Sequence, residues 1–204
     1  MHAKKTITLI VVLLAGFISC INPVYPKQMF LQHAATVVIL GLLVWDIKKQ
    51  FLSYGAFLGI SVFVLLHIVG ARYIYSFVPY NNWSISLFGW NIQETFGFER
   101  NHYDRLVHFL FGILIFPFLM NVFVRKFTFS QAILVSFLTL QAFSMVYELF
   151  EWLLTLMLSN HEAENYNGQQ GDMWDAHKDM GLAMLGSGIA GIYYLVKQNR
   201  LPVR

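Results

Sequence analysis

Charge is scarce in this sequence. Asp, Glu, Lys and Arg make up only 12% of its 204 residues, about half the share that covers a soluble domain. Such a chain cannot dress a globular surface with charge, so a polytopic membrane protein is the expected class. Cysteine is scarcer still. Cys20 stands alone, which excludes an intramolecular disulfide. A strong excess of one sign is also missing. The net charge is +3 with no dense basic stripe, so nucleic acid is not an expected partner. We find no internal repeat, no low-complexity tract and no stretch that reads as an appended soluble domain.

What is abundant is apolar residues, at 57%. They gather in six segments, about 6–21, 29–45, 51–69, 106–124, 127–159 and 180–196. Each is near the roughly 20 residues that cross a bilayer; the fifth is over-long and must tilt or continue beyond the membrane. The pattern predicts an all-α polytopic membrane helical bundle of about six transmembrane helices in a single integral domain, with the lipid bilayer as its surroundings. Lys4-Lys5 followed by the apolar run to Cys20 also has the outline of a signal peptide. Phe17 and Ile18 fit a lipoprotein processing site poorly, so a retained span is expected.

Orientation follows from the basic residues. Lys4, Lys5, Lys48, Lys49, Arg125, Lys126, Lys197, Arg200 and Arg204 fall on one side of an alternating six-span arrangement, and five others fall opposite. Both termini are therefore expected in the cytoplasm, with 70–105 and 160–179 as outer loops. Ten of the eleven acids are on or near the outer side, and Asp46 is the exception. The inner half of the bundle reads as apolar. The first outer loop is rich in Tyr, Trp and Phe, which suits a segment lying in the headgroup region.

Depth can be counted from the cytoplasmic anchors at about 1.5 Å per helical residue. The count brings His67, Asp104 and Arg105, His108, Glu148 and Glu151, and His177 and Asp179 to one level at the outer edge. Acids at that depth face a protein interior or a water-filled cavity. Asp104 and His108 are four apart, a spacing suited to a metal or to a carboxylate orienting a base. Glu148 and Glu151 are three apart and could act as acid and base. Asp172, Asp175 and Asp179, at i, i+3 and i+7, would share one helical face and suit a hard divalent ion. Each has a plain alternative: a helix-start carboxylate, an interfacial pair, a charged span end. In the last span Ala183, Ser187 and Gly191 recur every four residues, as do Gly186 and Ala190. Small residues at that spacing let helices approach closely and would turn the acids inward.

These residues carry a resemblance. Tyr103-Asp104-Arg105-Leu106-Val107-His108-Phe109, Tyr147-Glu148-Leu149-Phe150-Glu151-Trp152 and Gly171-Asp172-Met173-Trp174-Asp175 with Asp179-Met180 resemble the YjdF-like family over nearly the whole chain. That resemblance implies a multi-span bacterial inner-membrane protein and no particular activity. A weaker similarity is to VanZ-like membrane proteins, associated with resistance to glycopeptides such as teicoplanin. It covers about the last half of the chain, where Asp104, His108, Phe109, Glu148, Asp172 and Asp175 match in kind and order. Arg105 stands there for a usual Lys, and Asp179 for a usual Asn.

Three functions remain open at this stage. The first is an enzyme at the outer leaflet. Asp104, His108, Asp172, Asp175 and Asp179 would hold a divalent metal (Mg, Mn or Zn), with Glu148, Glu151 and His67 as acid–base groups. Arg72 and Arg105 would hold the anion of a lipid-linked substrate. The second is a non-enzymatic protein whose outer ion pairs close the bundle or bind a partner. The third is a transporter, disfavoured because the polar residues cluster at one edge rather than midplane.

Overall fold

The computed structural model describes residues 2–157 and 169–199. Within them lie eight helices: α1 (His2–Ser19), α2 (Pro26–Lys49), α3 (Tyr54–Arg72), α4 (Tyr80–Phe88), α5 (Ile92–Phe96), α6 (Tyr103–Phe123), α7 (Phe129–Met157) and α8 (Asp175–Asn199). No strand occurs among the described residues. Six of the helices, all but α4 and α5, are long and apolar enough to cross a bilayer. A helix satisfies every internal N–H and C=O within its own segment, which is what a hydrocarbon surrounding demands. The expected all-α, six-span architecture is therefore present.

Local chemistry sets the breaks. Pro26 opens α2 at a position where no N–H is needed. The left-handed Gln50 closes that helix, its N–H donating to the Asp46 carbonyl at 2.7 Å. Ser53 caps α3 by accepting from the Ala56 N–H at 3.3 Å. Helices outrun the apolar runs that announced them. The last one starts at Asp175, not near 180, and the fourth at Tyr103, not near 106. The reason is that hydropathy marks only the hydrocarbon slab, whereas the hydrogen-bond ladder continues into the interface. The segment between α3 and α6, expected as an outer loop, holds α4 and α5, and the end of the fifth apolar run, at 158–159, lies outside the described residues.

The centre of the bundle is α6, which packs against α3, α7 and α8, while α1 and α2 pack against α3. Phe116, Leu119 and Met120 of α6 meet Ala132, Ile133 and Leu140 of α7 and Ala190 of α8. The crossing of α6 and α8 is backbone on backbone. A Cβ at Gly186 would sit 2.1 Å from the Phe109 carbonyl oxygen, and one at Gly112 2.3 Å from that of Ala183. Ala183 and Ser187 are fully buried. The small-residue rows of α8 thus face α6, and α8 brings its acids with it.

One end of the bundle differs from the sequence reading. By position Lys5 reads as a charge flanking the first span, and the inner half reads as apolar. Instead Lys5 and Asp46 are 0% and 1% exposed and pair at 2.6 Å. Lys5 Nζ also donates to the Leu52 carbonyl at 2.8 Å, and Asp46 Oδ1 accepts from the Leu52 N–H at 2.8 Å. Burial of one charge requires the other, so the pair pins α1 to α2 and to the turn before α3.

Candidate functional site

At the opposite end, α6 enters the bundle at Tyr103 and α8 at Asp175, and their first turns carry the acids. Asp172 does not belong to a shared helical face with Asp175 and Asp179, contrary to the spacing argument. Gln170 and Gly171 have left-handed backbones, with φ of 49° and 80°, so the chain turns there before the helix begins. Asp172 sits in that turn. Its Oδ1 accepts from the Trp174 N–H at 3.0 Å and its carbonyl from the Asp175 N–H at 3.1 Å.

The polar residues divide into two groups. The first is neutralised by cations. Arg100 grips Asp175 with two bonds, of 2.6 and 3.3 Å, and also donates to the Gln169 carbonyl at 2.9 Å. Arg105 pairs with Asp172 and reaches Asp175 Oδ1 at 3.3 Å. Lys178 pairs with Asp172 at 2.5 Å. Hydrogen bonds from Lys178 first, then from the Trp174 N–H and Arg105, hold the Asp172 carboxyl down at about 2. His102, beside Arg105, is pushed below its ordinary value, first by burial and then by the Arg105 and Arg100 charges. Asp172 and Asp175, expected as metal ligands, are thus bound to guanidinium and ammonium groups. Arg105, expected to hold an anion, binds these two carboxylates.

The second group has no such compensation in its immediate contacts. His108 Nε2 lies 3.6 Å from Asp104 Oδ1, and His108 Nδ1 lies 3.6 Å from Glu148 Oε1. Those separations are too long for hydrogen bonds. The Nε2–Asp104 separation is close to the spacing of two ligands on one ion held at about 2.1 Å. Asp179, 2% exposed, completes the set. One ligand atom each from Asp104, His108 and Asp179 lie within 4.8 Å of one another. Asp179 Oδ1 and Glu148 Oε1 are buried with no hydrogen-bond partner among the described residues. An unpaired buried carboxylate oxygen costs on the order of 1–3 kcal/mol or more, so its presence calls for a ligand or a proton. Glu151 stands one turn further along α7 and accepts a hydrogen bond from Tyr147.

Beside this group runs a cavity of about 270 Å³ between α2, α3, α6 and α7. Ile39, Phe63, Phe111 and Phe143 make its walls, and Asp104, His108, Tyr147, His67 and Tyr75 bring polar atoms to it. His67 stands apart from the carboxylate group. Its Nε2–H donates to the Gln32 carbonyl at 3.0 Å and its Nδ1 accepts from the Tyr75 hydroxyl at 2.5 Å. Both ring nitrogens are committed, which leaves His67 in contact with Tyr75 rather than free as a base. Arg72 is elsewhere altogether. Its Nη1 donates to the carbonyls of Ser19 and Ile21 at 2.6 and 2.9 Å, closing the C-terminus of α1. Tyr75 carries no signal in the sequence, because its place beside His67 in the cavity depends on the turn after α3, where Ile74 and Tyr75 have left-handed backbones. Nor does the sequence select the Lys5–Asp46 pair; Asp46 as the lone inner acid is the available signal.

The family model described as "Predicted membrane protein (DUF2238)" matches residues 5–200. Inner membrane protein YjdF of Escherichia coli strain K12 is 30% identical over 154 residues, covering 74% of this chain and 69% of that protein. No solved structure matches.

Proposed function

The chain belongs to the DUF2238 family of predicted membrane proteins, and on that premise we propose a divalent-metal-dependent enzyme acting on a lipid-linked or envelope substrate at the outer face of the bacterial inner membrane. Membrane residence rests on the family and on six apolar helices. The basic residues favour cytoplasmic termini, which would turn the end bearing Asp104 and Asp179 outward.

The observation that carries the reading is a group of buried carboxylates and a histidine with no direct ion pair to Lys or Arg among the described residues. Asp104, His108 and Asp179 converge, with buried unpartnered oxygens on Asp179 and Glu148. One imidazole with carboxylates suits Mn or Zn, and the excess of hard oxygens also admits Mg. Asp104, His108 and Asp179 would hold the ion, which when bound would supply Lewis acidity. Glu148, on the Nδ1 side of His108, would orient that ring or take the proton that water or a lipid hydroxyl gives up. Glu151 and Tyr147 would share that proton. The apolar cavity supports a lipid-linked substrate, because it offers room for a hydrocarbon chain with its polar end at Asp104 and His108.

Metal analysis of the purified full chain tests this. We expect about one divalent ion per chain, lost in His108→Ala and Asp179→Asn and kept in Asp172→Asn. A folded wild type that takes up no ion would sink the reading. A second reading has its own observation: the Arg100, Arg105, Lys178, Asp172 and Asp175 network suits a non-enzymatic protein whose outer ion pairs close the bundle or dock a ligand. That is the reading a metal-free wild type would leave standing.

A further inference from the structure

A second recess lies across α6 from the carboxylate group. It occupies about 700 Å³ between α4 and α5 on one side and α6 and α8 on the other. Its walls include Ile92, Phe98, Leu106, Phe109 and Leu182, and its polar rim is His102, Arg105 and Lys178. Arg105 and Lys178 pair there with Asp172, and Arg100 and Arg105 with Asp175. Arg105 Nε is buried with no hydrogen-bond partner among the described residues. The Lys178 side chain is 48% exposed, so its ammonium retains donors for another anion. His102 turns its Nδ1 to the Arg105 guanidinium at 3.5 Å. That leaves Nε2–H as its donor. Leu87 and Phe88 of α4 and Phe96 of α5 stand 73%, 78% and 58% exposed, apolar surface of the kind that suits a segment in the headgroup region.

We infer that this recess is a binding site for an anionic phospholipid of the adjoining leaflet, whose phosphate docks on Arg105, Lys178 and His102 while an acyl chain lies along Leu106, Phe109 and Leu182. The half-exposed Lys178 ammonium and the His102 N–H at the rim select an anion, and apolar walls continuous with that rim select a lipid over a free ion. The recess and the carboxylate–histidine group share no residue, so either assignment can fail without the other.

Gly181 supplies a clean probe. It lines the recess, and a Cβ there would meet nothing within 4 Å. Gly181→Leu therefore fills the recess without striking the fold, and leucine favours the helix over glycine. The experiment is native mass spectrometry of the full chain in detergent, titrated with short-chain phosphatidylglycerol, phosphatidylcholine or inorganic phosphate. The expected result is saturable phosphatidylglycerol binding, about ten-fold weaker in Gly181→Leu and in Lys178→Gln, with phosphatidylcholine weaker than phosphatidylglycerol in wild type. Unchanged binding in both variants overturns the assignment. So does equal binding of the two lipids, or competition by inorganic phosphate at equal concentration.

Discussion

Four aspartates show how little residue type decides alone. Asp172 and Asp175 are held by cations, Asp46 is buried against Lys5, and Asp179 is buried with one oxygen unpartnered. The i,i+4 spacing of Asp104 and His108 was readable from the chain, because both lie on one helix. The partners of Arg72 and Lys5 were not, since the carbonyls and the carboxylate they bind come from residues about 40 to 50 positions away in sequence. The Lys5–Asp46 pair makes a sharp forecast. Asp46→Asn alone strands a buried ammonium and should cost about 3–5 kcal/mol, whereas the double change with Lys5→Met should recover much of it. Denaturation of the detergent-solubilised protein decides this; a single variant no less stable than the double one would contradict the pairing.

At the scale of helices, glycine position governs how closely α6 and α8 approach. The four-residue rows were legible because one helix carries them all. Their partner helix was not, for nothing in the rows says that Gly112 of α6 would be the surface they meet. Gly186→Ala places a methyl group against the Phe109 carbonyl, so it should push the helices apart at about 1–3 kcal/mol. Gly188→Ala, two residues on with no atom near its Cβ, should be neutral or slightly stabilising. Thermal unfolding of the two variants side by side measures the contrast, and equal losses would refute the close approach. The same helix shows why Asp172 was misplaced. Spacing extrapolates a helix backwards without limit, while the left-handed backbones of Gln170 and Gly171 stop it.

For the whole molecule, the bias of Lys and Arg forecasts that both chain ends lie in the cytoplasm. A reporter active only in the cytoplasm, fused after Arg204, should give signal, and one active only outside the membrane should not; the reverse pattern would invert the proposed pocket. Composition and apolar run length by themselves determined that this chain is a bundle of about six membrane-spanning helices, because a bilayer imposes length and backbone self-sufficiency on each span separately. The level of the polar residues was also countable, since rise per residue is constant along a helix. Which of them meet is a different matter. Only the packing of α6 between α3, α7 and α8 decided that Arg100 and Arg105 take Asp172 and Asp175, and that Asp104, His108, Asp179 and Glu148 are left together. The physical reason is that the depth of a residue is a property of its own helix, whereas its neighbours depend on the rotation of every helix about its axis, which side-chain packing sets.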